Sequence, residues 1–144
     1  MTNNSKGIGI CSLAVLIALY IVGAVSHGSL RHEVQTLPLW FPIVLGLNRR
    51  ETARWCALPC LVFWLCIMAL IWLYLLGWAR LASGYYSPVE IAMTLIAGVA
   101  SAVGVWLCIC RARWSATGVV LIVLFGVLQV MFFRISLLPA IANQ

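Results

Sequence analysis

The most polar stretch of the chain, residues 26–36 (SHGSLRHEVQT), carries side chains that are suited to acid–base or ligand chemistry. His32 and Glu33 are adjacent and could serve as a general base or as a ligand pair. His27 and His32 lie five residues apart, which is not the i, i+4 spacing that places two histidines on one helix face. The alternative is that these are interfacial side chains that make polar contacts only, to lipid headgroups, to Arg31 or to a partner.

Cysteines form the second candidate group. Cys56 and Cys60 are four residues apart and share a helix face, while Cys108 and Cys110 lie together later in the chain. Four thiolates could bind zinc or an iron–sulfur centre, but CxxxC with CxC is not the usual pair of CxxC motifs. The alternatives are S-acylation near arginine and cysteine as a small hydrophobic residue. No cofactor is therefore expected.

Glu90 and Gln129 are polar residues at or within apolar segments. Glu90 could bind an ion or a proton, or it could complement the positive end of a helix dipole. Gln129 needs a hydrogen-bond partner, which could be another helix or a substrate. Aspartate is absent, and the chain has no P-loop, GxSxG or GxGxxG motif. These features favour a protein that is not an enzyme.

The composition indicates which solvent surrounds these segments. Of the 144 residues, 65% are hydrophobic and 8% are charged, whereas soluble domains are roughly 45–50% apolar and about 25% charged. A soluble globule of this size could not bury so much apolar surface. The chain therefore belongs in a lipid bilayer. Its net charge of +6 is scattered and forms no nucleotide-binding patch, so nucleic acid is not an expected partner.

Four apolar stretches are long enough to cross a membrane, whose core of about 30 Å needs about 20 residues of helix. They are residues 8–26, 55–78, 89–110 and 115–133. Ionisable residues fall at the ends of these stretches, as the cost of a charge at mid-membrane requires. Helices satisfy their own backbone polar groups in lipid, unlike single strands. The sequence predicts an all-α bundle of four transmembrane helices in one domain, 1–144.

A fifth apolar stretch, residues 37–47 (LPLWFPIVLGL), is too short to cross as a regular helix. It contains Pro38 and Pro42 and is apolar on all sides, unlike an amphipathic surface helix. It is therefore either an interfacial connection or a segment that is re-entrant, covered by protein or docked against a partner.

The distribution of basic residues predicts an orientation. If residues 27–54 and 111–114 lie on one side of the membrane, that side carries six basic residues. The other side then carries Lys6, Arg80 and Arg134. The positive-inside rule makes the richer side cytoplasmic and places both termini outside. The expected location is a plasma membrane of the bacterial type.

The stretch 89–110 is richest in small residues, which let helices approach closely in lipid. Two pairs are spaced by one turn: Ala97 with Ser101, and Ala100 with Gly104. We expect this helix to be central and the most covered by protein. The bulky aromatic stretch 55–78 is expected to face lipid or a partner subunit.

Three functional hypotheses remain. The first is an accessory or assembly subunit of a larger membrane complex, bound to other subunits or to copies of itself. The second is a small oligomeric transporter or channel with Glu90 or Gln129 facing a wet cavity. Its size is similar to that of the small multidrug-resistance transporters, but the acid of their first helix is absent from 8–26. The third is a membrane enzyme that uses His32 and Glu33.

Overall fold

The structure, a computed structural model, describes residues 2–26, 29–78, 86–110 and 115–142, and these ranges contain helices and no strand. The helices are α1 (Thr2–Val25), α2 (Ser29–Thr36), α3 (Trp40–Leu47), α4 (Ala53–Leu75), α5 (Pro88–Ile109), α6 (Ala116–Ser136) and α7 (Pro139–Ala142). A 3₁₀ turn, Leu37–Leu39, joins α2 to α3.

Four of these helices are long and apolar enough to cross a membrane. They comprise Asn4–Val25, Ala53–Leu75, Pro88–Ile109 and Ala116–Ser136. The predicted all-α architecture with four transmembrane helices is therefore confirmed. The short apolar segment 37–47 forms the 3₁₀ turn and α3, between the first and second of these spans.

Side-chain caps fix where α5 and α6 begin. Ser87 Oγ accepts a hydrogen bond from the Glu90 backbone N–H at 3.3 Å, while Glu90 Oε2 accepts one from the Ser87 backbone N–H at 2.7 Å. This reciprocal capping box satisfies backbone donors that the first helical turn leaves unpaired. At α6, Ser115 Oγ accepts from the Gly118 N–H at 3.1 Å.

The directions of α1, α4 and α5 follow from close contacts at glycines. A Cβ built on Gly7 would lie 3.0 Å from Cδ1 of Leu107, so the start of α1 lies beside the end of α5. A Cβ on Gly104 would lie 3.2 Å from Cβ of Cys11 and 2.6 Å from Cδ1 of Leu61. Cys11 and Leu61 both lie in the first half of their helices. Hence α1 and α4 run parallel, and α5 runs against both.

The last span, α6, runs in the same direction as α4. Near its start, a Cβ on Gly118 would lie 2.8 Å from Cε2 of Trp55. Near its end, the ring of Phe133 packs edge-on against Phe63, with centroids 5.2 Å apart. Three spans therefore run one way, and α5 is the one that returns.

Residues 29–47, here called the connector, run back along α1. A Cβ on Gly23, near the end of α1, would lie 3.0 Å from Cδ2 of His32. A Cβ on Gly46 would lie 2.7 Å from Cα of Gly9, near the start of α1. The connector thus brings the chain from the end of α1 back to its start, where α4 begins. We call the two ends of the bundle the His32 end and the Gly46 end.

This course corrects the expectation that residues 27–54 lie on one side of the membrane. Arg31 lies next to His32, whereas Arg49 and Arg50 follow Gly46 at the opposite end of the bundle. The difference arises because the connector packs lengthwise against α1 instead of lying across one interface. The count of six basic residues against three assumed that residues 27–54 lie on one side of the membrane, so it does not apply.

The termini also lie at opposite ends. Ser5, in the first turns of α1, has its carbonyl oxygen 2.8 Å from the position of a Cβ on Gly46. Ser136, the last residue of α6, accepts a 2.9 Å hydrogen bond at Oγ from Nε2 of Gln35 in α2. An arrangement with both termini on one side does not fit these contacts. His27, Arg80, Arg111 and Arg113 lie outside the described residues.

The helix most covered by protein is α1, not α5. Within the most apolar stretch of each helix, 44% of residues are buried in α1 and 28% in α5. Trp64 and Met68 of α4, expected to face lipid or a partner, are only 2% and 3% exposed. The expectation for α5 was wrong, and that for 55–78 was wrong at Trp64 and Met68. The connector packs along α1 and also contacts α4 and α6, and Met68 lies beside Gly98 of α5.

Replacing Gly46 with alanine should destabilise the protein by about 1–3 kcal/mol, the usual cost of overpacking. The new Cβ would meet backbone atoms of Gly9 and Ser5, and backbone cannot rotate away as a side chain can. Gly98→Ala is the matched control, because its Cβ would meet only Cβ of Met68, at 3.6 Å. Thermal unfolding in detergent measures the difference. Equal midpoints for the two variants would contradict this packing.

Single cysteines at Ser26 and Asn48 should react with an impermeant maleimide from opposite sides of the membrane. Both positions are exposed, and the connector separates them by most of the length of α1. The measurement uses right-side-out and inverted vesicles, in a background with the six native cysteines replaced. Glu51→Cys is the control and should label with Asn48→Cys. Labelling of Ser26→Cys and Asn48→Cys from the same side would refute this course of the chain.

Candidate binding cavity

A cavity of about 420 Å³ lies between α1, the connector, α4, α5 and the end of α6 at the His32 end. Its lining residues come from distant parts of the sequence: Ala18, Leu19, Val22, Ser26, Arg31, His32, Gln35, Trp64, Ile67, Met68, Ile71, Tyr86, Glu90, Met93, Thr94, Ala97 and Phe133. The volume lies within the range of about 300–1,000 Å³ that is typical of small-molecule sites.

The polarity of the lining changes with depth. Ser26, Arg31, Tyr86 and Glu90 belong to the ends of their elements, near the outer end of the bundle. The deeper positions on α1, α4 and α5 are mostly apolar, and Trp64 is the deepest aromatic residue of α4 in the lining. The cavity is therefore amphipathic, with charged groups at one end and hydrocarbon at the other.

Arg31 and His32 supply the polar end of the cavity from α2. Both are half-buried. Arg31 Nε and His32 Nδ1 are buried atoms without a hydrogen-bond partner. Burial, together with the neighbouring charge of Arg31, lowers the pKa of His32 below its ordinary value, although Glu90 acts in the opposite direction. The lowered pKa favours a neutral His32 imidazole beside the permanently charged Arg31 guanidinium. Both side chains can donate hydrogen bonds.

Helical spacing explains why these residues share the cavity and Glu33 does not. Gln35 follows His32 by three residues and Arg31 by four, so the three side chains occupy one side of α2. Glu33 projects elsewhere: it is exposed and is not part of the lining. The adjacent pair of His32 and Glu33 is therefore split between the cavity and the surface.

Glu90 lines the cavity while it caps α5. One carboxylate oxygen accepts the 2.7 Å hydrogen bond from the Ser87 N–H. This places the charge at the positive end of the helix dipole, one of the two roles considered from the sequence. Its position in the lining also leaves it close enough to His32 for their charges to interact.

Gln129 is fully buried and bonds to the connector. Its Nε2 donates to the carbonyl oxygen of Gln35 at 3.0 Å. Gln35 Nε2 in turn donates to Ser136 Oγ at 2.9 Å, and Ser136 Oγ donates to the Phe133 carbonyl at 2.7 Å. Gln129 is not among the residues that line the cavity. Its amide therefore joins α6 to the connector.

The cysteines lie away from the cavity. Cys56, Cys60 and Cys108 are buried and Cys110 is half-buried, all towards the Gly46 end, and none forms a disulfide. In the part of the chain that the structure describes, no group of three or more His, Cys, Asp or Glu side chains is placed to hold a metal ion.

The two small-residue pairs of α5 lie mostly on its buried face. Ala97, Ser101 and Gly104 are buried and Ala100 is half-buried. Towards the Gly46 end this face is filled, because Leu61 and Cys11 pack against Gly104. Towards the His32 end, Ala97 and Thr94 form part of the wall of the cavity.

Comparison with known proteins adds no assignment: no family model, no curated protein and no solved structure matches the chain. The site therefore rests on its own geometry.

Of the residues singled out from the sequence, His32 and Glu90 line this cavity, and Arg31, Tyr86 and Trp64 join them there. From the sequence, Arg31 is an orientation charge and a possible contact of the histidines, and Trp64 belongs to a stretch expected to face lipid or a partner subunit. A signal was present in the four-residue spacing of Arg31 and Gln35, which would have placed them on one face of a helix. A local sequence pattern could not predict that residues from five elements would line one cavity.

Proposed function

We propose that this small multi-pass membrane protein, with four apolar spans, binds a small amphipathic molecule in the His32-end cavity and serves as an accessory subunit of a larger membrane complex. The observation that carries the binding proposal is the amphipathic cavity itself, which is lined by residues of α1, the connector, α4, α5 and α6. Sites of this kind combine apolar walls with a few polar groups that orient the ligand.

Binding is favoured over catalysis because the lining offers few groups that could act together in acid–base chemistry. His32 and Glu90 are the titratable candidates, and Glu90 is engaged in capping α5. Glu33, the other acid of the enzyme hypothesis, is exposed outside the lining. The transporter hypothesis retains Glu90 as a cavity residue, but Gln129 does not line the cavity, and its Nε2 donates to the connector carbonyl.

Filling the cavity tests the binding proposal. Ala97→Leu adds a branched side chain to the cavity wall and should reduce the amount of co-purified amphiphile at least tenfold. Ala92→Leu makes the same change on an exposed position of α5 and should leave it unchanged. Mass spectrometry of small molecules retained after mild detergent purification measures both, with thermal unfolding confirming an intact fold. Equal retention by the two variants would contradict the proposal.

The accessory role is supported by the high exposure of α6. Only 17% of the residues in its most apolar stretch are buried. Its uncovered side is rich in valine, with exposed fractions of 48–64% at Val119, Val120, Val123, Val127 and Val130. We propose that a transmembrane helix of a partner subunit packs on this side, where close side-chain packing would replace contacts with lipid.

A photo-crosslinking residue tests this partner directly. Placed at Val123, which is 59% exposed, it should form a discrete adduct with another membrane protein in intact membranes. At Leu121, which packs against the core of the chain, the same residue should not do so. Adducts with lipid alone at Val123, together with a lone monomer after mild extraction, would exclude this interface.

We further propose that the Gly46 end faces the cytoplasm of a bacterial-type plasma membrane. Among the described residues, the basic side chains at this end are Lys6, Arg49, Arg50 and Arg54, against Arg31 and Arg134 at the His32 end. The positive-inside rule then places the start of α1 in the cytoplasm and the cavity towards the opposite side.

A further inference from the structure

Arg31 is the cation at the polar end of the cavity. Its guanidinium has five N–H donors, no acceptor and a permanent positive charge. Its Nε is buried without a hydrogen-bond partner, and it is the only Lys or Arg among the described residues that line the cavity. A buried donor without a partner is costly, so an acceptor oxygen at this position would be strongly stabilised.

His32 and Trp64 extend this pattern. His32 Nδ1 and Trp64 Nε1 are also buried without a partner, and both residues line the same cavity. Indole nitrogen is a donor only, and a neutral imidazole has one donor nitrogen. Arg31 Nε is thus an unmatched donor at the polar end of the cavity and Trp64 Nε1 is one on its deeper wall, while Nδ1 of a neutral His32 donates in one tautomer and accepts in the other.

The negative charge of Glu90 is already compensated. Its carboxylate accepts the Ser87 N–H and lies at the start of α5, where the helix dipole is positive. Arg31 has no comparable internal partner for its Nε. The unpartnered Nε of Arg31 therefore favours a ligand that carries negative charge on oxygen.

We propose that the cavity binds a single-chain amphiphile whose anionic headgroup, a carboxylate or a phosphate, pairs with Arg31 and His32. Its apolar chain lies against Leu19, Trp64 and Met68, which line the deeper part. A volume of about 420 Å³ favours one chain over two. This inference rests on the proposed function and adds the chemical class of the ligand.

The test uses the full chain in phosphatidylcholine nanodiscs and 11-(dansylamino)undecanoate, a fluorescent single-chain carboxylate. Arg31→Gln should weaken its binding by about tenfold or more, as loss of a charge-assisted hydrogen bond implies. Arg134→Gln is the matched control, because Arg134 is exposed at the same end of the bundle and does not line the cavity. It should bind the probe as the unchanged protein does.

A second measurement needs no variant and therefore does not depend on whether Arg31→Gln folds. The methyl ester of the probe has the same chain without the charge, and it should bind the unchanged protein at least tenfold more weakly than the acid. Competition with dodecanoate and with dodecyl phosphate distinguishes the two headgroups, and displacement by either supports the proposal. Equal binding of acid and ester, or equal affinity of Arg31→Gln and Arg134→Gln, would overturn it.

Failure of this inference is distinguishable from failure of the proposed function. If the ester and dodecanol bind as well as the acid, and Ala97→Leu abolishes binding of all three, the cavity binds amphiphiles but does not select an anion. If Ala97→Leu and Ala92→Leu bind every probe equally, the cavity is not the binding site and both proposals fail.

Discussion

The backbone of the connector has to find hydrogen-bond partners inside an apolar bundle, and the arrangement of the other elements depends on how it does so. Pro38 lacks an N–H and lies in the 3₁₀ turn that interrupts helical bonding between α2 and α3. The carbonyl of Gln35, just before this turn, accepts from the side chain of Gln129. Thr36 Oγ1 lies 3.0 Å from the carbonyls of both His32 and Glu33. In lipid, unsatisfied groups of this kind would cost several kcal/mol each.

The need to pair the connector's polar groups also holds α6 in place. Gln129 and Ser136 both come from α6, so the last span is held to the connector by the bonds that complete the connector's own polar groups. At the other end, Gly46 and Gly9 let two backbones approach so closely that no side chain fits between them. The connector is consequently clamped at both ends, against α6 by hydrogen bonds and against α1 by close packing. Such clamping favours α1 and α4 running parallel.

The sequence allowed the spans to be predicted because lipid imposes a local rule: an uncharged apolar run of sufficient length becomes a helix. The course of residues 37–47 obeys no such rule. Because this segment is apolar on every side, its sequence is equally compatible with a lipid and with a protein environment. The contact of Gly46 with Gly9 shows that it packs against protein. The error in orientation followed from this, since a segment assigned to one interface in fact separates Arg31 from Arg49. The need of Gln129 for a partner was foreseeable, but its identity depended on where the connector ran.

The cavity is a consequence of the way the small face of α5 is filled. Near Gly104 the space is occupied by Leu61 and Cys11, whose side chains reach α5 directly. Near Ala97 the opposing residues leave a space that no side chain of the described chain occupies. Arg31 and His32 line this space because they lie on the side of α2 that faces the cavity, and α2 packs beside α1. A connector without Arg31 and His32 could make the same apolar contacts with the other helices. The presence of a cation with an unpartnered donor beside such a space therefore favours a binding role over a purely structural one.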